Sequence, residues 1–150
     1  MIQNTDDSKE VDAGASLVAA QSDHWPRVLI AEDDDEMRRL LVRVLHADGY
    51  AVAECRNGMD LFSRLEPFVF GTAALDFDAI VSDMCMPGLT GLEILEDLHN
   101  NKGFPPMILI TAFGDKEIHV RAEVAGAAAV LDKPFVIETL LAKLHEIAPQ

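Results

Sequence analysis

Four apolar runs in this sequence stop at residues that can do chemistry. Val28-Leu29-Ile30-Ala31 gives way to Glu32-Asp33-Asp34, and Ala79-Ile80-Val81 leads to Asp83. Ile108-Leu109-Ile110 leads to Thr111, and Ala129-Val130-Leu131-Asp132 leads to Lys133-Pro134. Carboxylates crowded at one place repel one another, so at least one resists ionising unless a cation is present. Mg²⁺ suits such a group because it takes oxygen ligands, commonly one or two carboxylates, several waters and a phosphate oxygen. An ammonium and a hydroxyl supply what a phosphoryl group needs, a point charge and a donor. A carboxylate flanked by metal and lysine can act as nucleophile and accept the phosphoryl group as an acyl phosphate. By residue chemistry, Asp83 is the candidate nucleophile, Glu32 and Asp33 are the candidate metal acids, and Thr111 and Lys133 face the phosphoryl oxygens.

These residues meet only if their segments lie side by side, and the periodicity says how. Arg27–Ala31 reads as a strand, and Met37, Leu40, Leu41, Val44 and Leu45 then recur at helical spacing up to Gly49. Tyr50–Cys55 predicts a second strand and Met59–Leu65 a second helix, followed by an aromatic-rich loop from Pro67 to Asp76 with no evident purpose. Ala79–Asp83 is the third strand; Thr90 and Glu93 form a capping-box match that opens the third helix, with Leu92, Ile94, Leu95 and Leu98 on its apolar face. Met107–Thr111, Ile118–Ala125, Ala129–Leu131 and Val136–Ile147 continue the alternation of strand and helix. Five βα units with nearly continuous apolar strands predict an α/β doubly wound five-stranded parallel sheet with helices on both faces. In the flavodoxin-like order 2-1-3-4-5 the crevice opens beyond the carboxyl ends of strands one and three. Those ends carry Glu32-Asp33 and Asp83.

Composition bounds the rest. A chain of 150 residues, 49% of them hydrophobic, has room for one domain with a proper core. Residues 1–26 lack periodicity and hold Asp6, Asp7, Glu10, Asp12 and Asp23 against Lys9, so they read as a flexible acidic extension before a domain at 27–150. The net charge of -14 repels nucleic-acid phosphates and anionic membranes, which argues against direct contact with either. No apolar run approaches the roughly 18 residues that span a bilayer, and no secretory signal is visible. Cys55 and Cys85 fall in separate segments, so no disulfide framework or metal knuckle is read, and a reducing cytoplasm is the default compartment.

Across about residues 27–148 the chain resembles the receiver domain of bacterial two-component response regulators, with four separate motifs in the family's order. By that resemblance Glu32 and Asp33 match the acid pair, Asp83 the phospho-accepting aspartate, and Cys85 the residue whose backbone carbonyl coordinates Mg²⁺. Thr111 matches the switch hydroxyl with small Ala112 beside it, Lys133-Pro134 the lysine before proline, and Met86-Pro87-Gly88 with Gly91 the loop after the acceptor. The resemblance implies Mg²⁺-dependent phosphotransfer to Asp83 from the phosphohistidine of a histidine kinase or histidine phosphotransfer protein, followed by hydrolysis. It implies a phosphoacceptor rather than an enzyme in its own right. It also implies an output face of helix four, strand five and helix five, turned toward a downstream protein target or a second copy of the chain. Two departures stand out. Glu32 replaces the aspartate common at the first acid, and Val130 stands where receivers often carry an aromatic ring that turns inward, leaving Phe113 as a candidate in its place.

Competing readings remain at this level. A haloacid-dehalogenase-type phosphatase uses an aspartate two residues after the nucleophile, where this chain has Cys85, and leaves the acid pair unexplained. A pseudo-receiver would keep the fold and bind partners without phosphorylation. The chain stops just past helix five, which fits either a stand-alone receiver or part of a longer regulator. Asp34 or Asp35 is expected to cap a helix. His24, His46, His99, His119 and His145 are scattered and read as surface or packing residues.

Overall fold

Short apolar runs flanked by amphipathic helices bury most when they pair in parallel and are covered on both faces. The computed structural model, which describes residues 25–150, shows that solution. Strands β1 (Arg27–Ala31), β2 (Ala51–Cys55), β3 (Ala79–Asp83), β4 (Met107–Thr111) and β5 (Ala129–Asp132) form one parallel sheet in the order β2-β1-β3-β4-β5. Helices α1 (Asp35–Ala47), α2 (Gly58–Val69), α3 (Gly91–Leu98), α4 (Lys116–Val124) and α5 (Ile137–Ile147) alternate with them. The acidic extension read over residues 1–26 lies almost wholly outside the described residues.

Alternation along each strand sorts the core into two halves. Val28, Ile30, Val81, Ile108 and Ile110 meet Leu41 and Leu45 of α1 and Leu140 and Leu144 of α5. Leu29, Ile80 and Leu109 point the other way, onto Leu61 and Leu65 of α2, Leu92 and Leu95 of α3 and Ala122 of α4. Gly91 lets α3 approach closely, since a Cβ there would lie 2.6 Å from Ser82 Oγ and 3.0 Å from Leu109 Cδ2. Leu109 is fully buried in this contact. Leu109→Ala should therefore cost about 2–5 kcal/mol in a denaturant titration, a large share of the roughly 5–15 kcal/mol that holds a domain folded. A loss below about 1 kcal/mol would contradict this packing.

Helix starts follow local capping chemistry. Asp34 caps α1 by accepting the Glu36 and Met37 N–H groups, Asn57 caps α2, Thr90 accepts the Glu93 N–H at 3.1 Å, and Asp115 caps α4. The expected α4 start at Ile118 is thus two residues late, because Asp115 accepts the Ile118 N–H and brings Lys116 into the helix. Tyr50 does not belong to β2. Gly49, at φ +96°, ends α1, and Tyr50 turns inward, fully buried, donating its hydroxyl to the Ala148 carbonyl at 3.0 Å.

Helix α2 also departs from expectation: it runs through Pro67 to Val69 rather than stopping at Leu65. A proline this close to a helix end costs one hydrogen bond, and the carbonyl it leaves belongs to exposed Ser63, where water can reach it. The Pro67 carbonyl in turn accepts the Thr72 N–H at 2.8 Å and the Thr72 hydroxyl at 3.0 Å, which folds the chain back at the helix end. Of the aromatics that follow, Phe68 and Phe77 have a packing role, while Phe70 is exposed. Phe77 and Phe104 rest on the core, Phe68 meets Phe104 with centroids 6.1 Å apart, and Arg27 lies over the Phe77 ring at 5.0 Å.

Candidate functional site

The carboxyl ends of β1 and β3 are neighbours at the point where the strand order reverses, which is where a doubly wound sheet opens a crevice. Asp83, the last residue of β3, is 3% exposed, and Glu32, the first residue after β1, is 1% exposed. Asp33 is exposed beside them, and carboxylate oxygens of the three lie within 4.8 Å of one another. Lys133 reaches in from beyond β5, its Nζ 2.6 Å from Asp83 Oδ2 and 3.0 Å from Glu32 Oε1. The Cys85 N–H donates to the other Asp83 oxygen at 2.7 Å, while the Cys85 side chain is exposed. Both acceptor oxygens of Asp83 are therefore fixed, one by a cation and one by a peptide.

Backbone bonds beyond the strands hold the rim. The Glu32 N–H donates to Cys55 O at 3.1 Å, Met84 N–H to Ile110 O at 2.7 Å, and Lys133 N–H to Thr111 O at 2.7 Å. Gly88, at φ +85°, makes the turn that follows Asp83. Arg38 was not foreseen from the sequence. It is 4% exposed, its guanidinium donates to the Glu32 carbonyl at 2.9 Å, and it pairs with Asp35 and Glu54. Buried in this way, it clamps the peptide that carries Glu32. The signal was its spacing: residues 38, 41 and 45 share one helical face, so a charge stood in the row that buries Leu41 and Leu45.

Burial raises the Glu32 carboxyl to about 7, helped by its hydrogen bond to Asp83 and the Asp83 charge, with Lys133 opposing. Burial would raise Asp83 as well, but hydrogen bonds from Glu32, Lys133 and the Cys85 N–H outweigh it and hold Asp83 below the usual carboxylate range. Lys133 is pushed down by burial and pulled up further by Asp83 and Glu32, so it stays charged. The crevice therefore shares a proton at Glu32 and keeps Asp83 ionised. The donor set is all oxygen and carries more negative charge than Lys133 can balance, which fits a hard divalent cation held by Glu32, Asp33 and Asp83.

Thr111 ends β4 at 1% exposure, but its hydroxyl makes no hydrogen bond to Asp83 or Lys133 among the described residues. Instead Thr111 Oγ1 accepts the Phe113 N–H at 3.1 Å. Ala112 is exposed, Phe113 is 77% exposed, and Val130 is partly buried against the core on the α4 side. The structure thus brings Glu32, Asp33, Asp83 and Lys133 together, sets Cys85 against Asp83 through its peptide, and leaves Thr111 one step back. Among the described residues no helix is long and apolar enough to cross a membrane.

Comparison with known proteins gives this arrangement a family. Residues 28–145 match the response regulator receiver domain. Response regulator RppA of Synechocystis sp. is 31% identical over 121 residues, covering 81% of this chain and 50% of RppA. Response regulator MprA of Mycobacterium sp. (strain KMS) is 33% identical over 124 residues, with 81% and 50% covered. The chain thus spans about half the length of these curated relatives. Among solved structures, the chemotaxis response regulator CheY4 of Vibrio cholerae matches with a TM-score of 0.69 at 28% identity, covering 83% of this chain and 99% of that one. A five-stranded parallel sheet in the order 2-1-3-4-5, an acidic crevice at its switch point and a family match over residues 28–145 lead to one conclusion: the chain belongs to the response regulator receiver-domain family.

Proposed function

We propose that this chain accepts a phosphoryl group on Asp83 from a phosphohistidine of a histidine kinase or histidine phosphotransfer protein, and later loses it to water. The observation that carries this reading is the state of Asp83: buried, ionised, and held at both oxygens by Lys133 and the Cys85 N–H. In the transfer a carboxylate oxygen of Asp83 forms the new O–P bond while the N–P bond of the donor breaks, its electron pair remaining on the imidazole nitrogen. Lys133 presents a cation to the phosphoryl oxygens without having to be recruited. Because Thr111 Oγ1 accepts from Phe113, its own O–H is left to donate to an incoming oxygen. Glu32 and Asp33, with Asp83 and the Cys85 carbonyl, would hold Mg²⁺, which when bound neutralises charge on the transferring phosphoryl group. To join that set Glu32 would give up its proton.

On this reading residues 27–150 are a phosphoacceptor domain following an acidic extension at 1–26, and the reaction is self-catalysed rather than enzymatic turnover. The phosphoryl group adds about -1.5 to -2 charges, and Thr111 and Lys133 move toward it. Their loops lead into α4, β5 and α5, the face proposed to meet a downstream protein or a second copy. Switching that face from 1:99 to 99:1 requires about 5.5 kcal/mol of preference for one packing. The cytoplasm, where such kinases deliver phosphoryl groups, is the proposed compartment.

The test is intact mass after incubation with acetyl phosphate and Mg²⁺. A labile gain of about 80 Da is expected, absent from Asp83→Asn and absent without Mg²⁺. No gain in the wild-type protein would replace this reading with that of a pseudo-receiver, which binds partners without phosphorylation.

A further inference from the structure

Between Thr111 and α4 lie only four residues, Ala112-Phe113-Gly114-Asp115, so whatever moves Thr111 acts on α4 over a short span. One turn into α4, His119 reaches back toward the sheet and places Nε2 2.9 Å from Oδ1 of Asp132, the last residue of β5. A carboxylate only accepts, so Nε2 carries the proton and donates. Asp132 stands opposite Thr111 in the strand register and immediately before Lys133, whose N–H is bonded to the Thr111 carbonyl.

Gly114 closes this arrangement. A Cβ built on it would lie 2.1 Å from Asp132 Oδ1, 2.7 Å from the Thr111 methyl carbon and 2.8 Å from His119 Nε2. The loop backbone is therefore pressed against the His–Asp pair and the Thr111 side chain at once. A shift of Thr111 cannot leave the pair where it is, because close-packed contacts transmit displacement rather than absorb it. At the matching β5 position Val130 packs, partly buried, against the core on the α4 side and has no polar atom to move.

We propose that the His119–Asp132 pair, gripped by Gly114, is the joint that couples Thr111 and Lys133 to α4, with His119 a positioning residue acting through Asp132. The trigger rests on the phosphoacceptor reading; the joint itself rests on the contacts above. His119 is partly exposed, so its replacement leaves the core intact. His119→Ala removes the donor, and His119→Gln restores an N–H at about the same reach.

The experiment combines two readouts on wild type and both variants: amide shifts of Thr111 and Phe113 in the unmodified protein, and hydrogen exchange of residues 116–124 with and without acetyl phosphate and Mg²⁺. In wild type, phosphorylation should change α4 exchange by about threefold or more per phosphorylated molecule. His119→Ala should lose most of that change, and His119→Gln should recover it. The joint is overturned if His119→Ala keeps the full wild-type response. If wild type takes up no phosphoryl group, the function proposed above falls, and the amide shifts decide the joint. Shifts at Thr111 and Phe113 in the alanine variant that revert in the glutamine variant support it, and unmoved resonances overturn it. Gly114→Ala, which forces the pair apart, should reproduce the alanine result.

Discussion

Lys133→Ala should slow phosphoryl uptake at Asp83 by about a hundredfold, the usual loss when one preorganised donor is taken from a developing charge. In the crevice this ammonium is the only cation within bonding distance of the carboxylates among the described residues, contacting both Asp83 and Glu32. Its removal leaves Asp83 with only the Cys85 N–H and its hydrogen bond with Glu32, and takes away the main group that opposes the rise of the Glu32 carboxyl. Glu32 then keeps its proton more tightly, so Mg²⁺ must compete harder for the site. The measurement is the time course of the mass gain under acetyl phosphate, with a thermal melt to confirm folding. A wild-type rate in a folded variant would show that Lys133 serves structure alone. Lys133→Arg should recover only part of the rate, because a planar fork does not replace a compact point charge between two carboxylates.

Mg²⁺ affinity should rise about thirtyfold between pH 5.5 and pH 8 and level off above that, as expected when a ligand titrating near 7 must deprotonate to bind. The sign follows from burial, which favours the neutral carboxyl, so acid holds the proton on Glu32 and the metal has to displace it. Asp83 is already ionised across this range and adds no slope of its own. Calorimetric titration in two buffers of different ionisation heat would read both the affinity and the proton released. Affinity that is flat from pH 5.5 to 8 would contradict the buried, proton-sharing Glu32, and Glu32→Gln should bind more weakly with the slope removed. Stability of the metal-free fold follows the same group. Glu32 titrates near 4.5 when exposed and near 7 when folded, so its contribution is fully present below about pH 4.5 and is lost as the pH rises through about 7. Asp83 acts in the opposite sense, contributing above its ordinary range and losing that contribution as pH falls.

Much of the architecture was legible because each segment's pattern admits one use. Four-to-five-residue apolar runs separated by helical periodicity bury both faces in a parallel sheet, and the expected flavodoxin-like order β2-β1-β3-β4-β5 is the one the sheet adopts. Boundaries were less legible where a local rule met a tertiary exception. Pro67 breaks helices in general but is tolerated in the last turn of α2, and Tyr50 looks like a strand residue until its hydroxyl finds the Ala148 carbonyl 98 positions away. Phe68 and Phe77 explain themselves only through Phe104 and Arg27, which lie far from them along the chain.

Which residue types stand at the strand ends is written in the chain: acids just after β1 and at the end of β3, a hydroxyl at the end of β4 and a lysine just after β5. That outcome is local, because strand length and side-chain alternation are local properties. How those residues divide the work depends on packing. Burial, which depends on the whole chain, put the shared proton on Glu32 and left Asp83 charged. It set Arg38 against the Glu32 carbonyl, and turned the Thr111 hydroxyl to Phe113 rather than to Lys133. It also paired His119 with Asp132, thirteen positions away, making a contact from a histidine whose sequence context marked it as ordinary surface. Distances between elements and exclusion of water are properties of the packed state, and they are what turn a list of residues into a site.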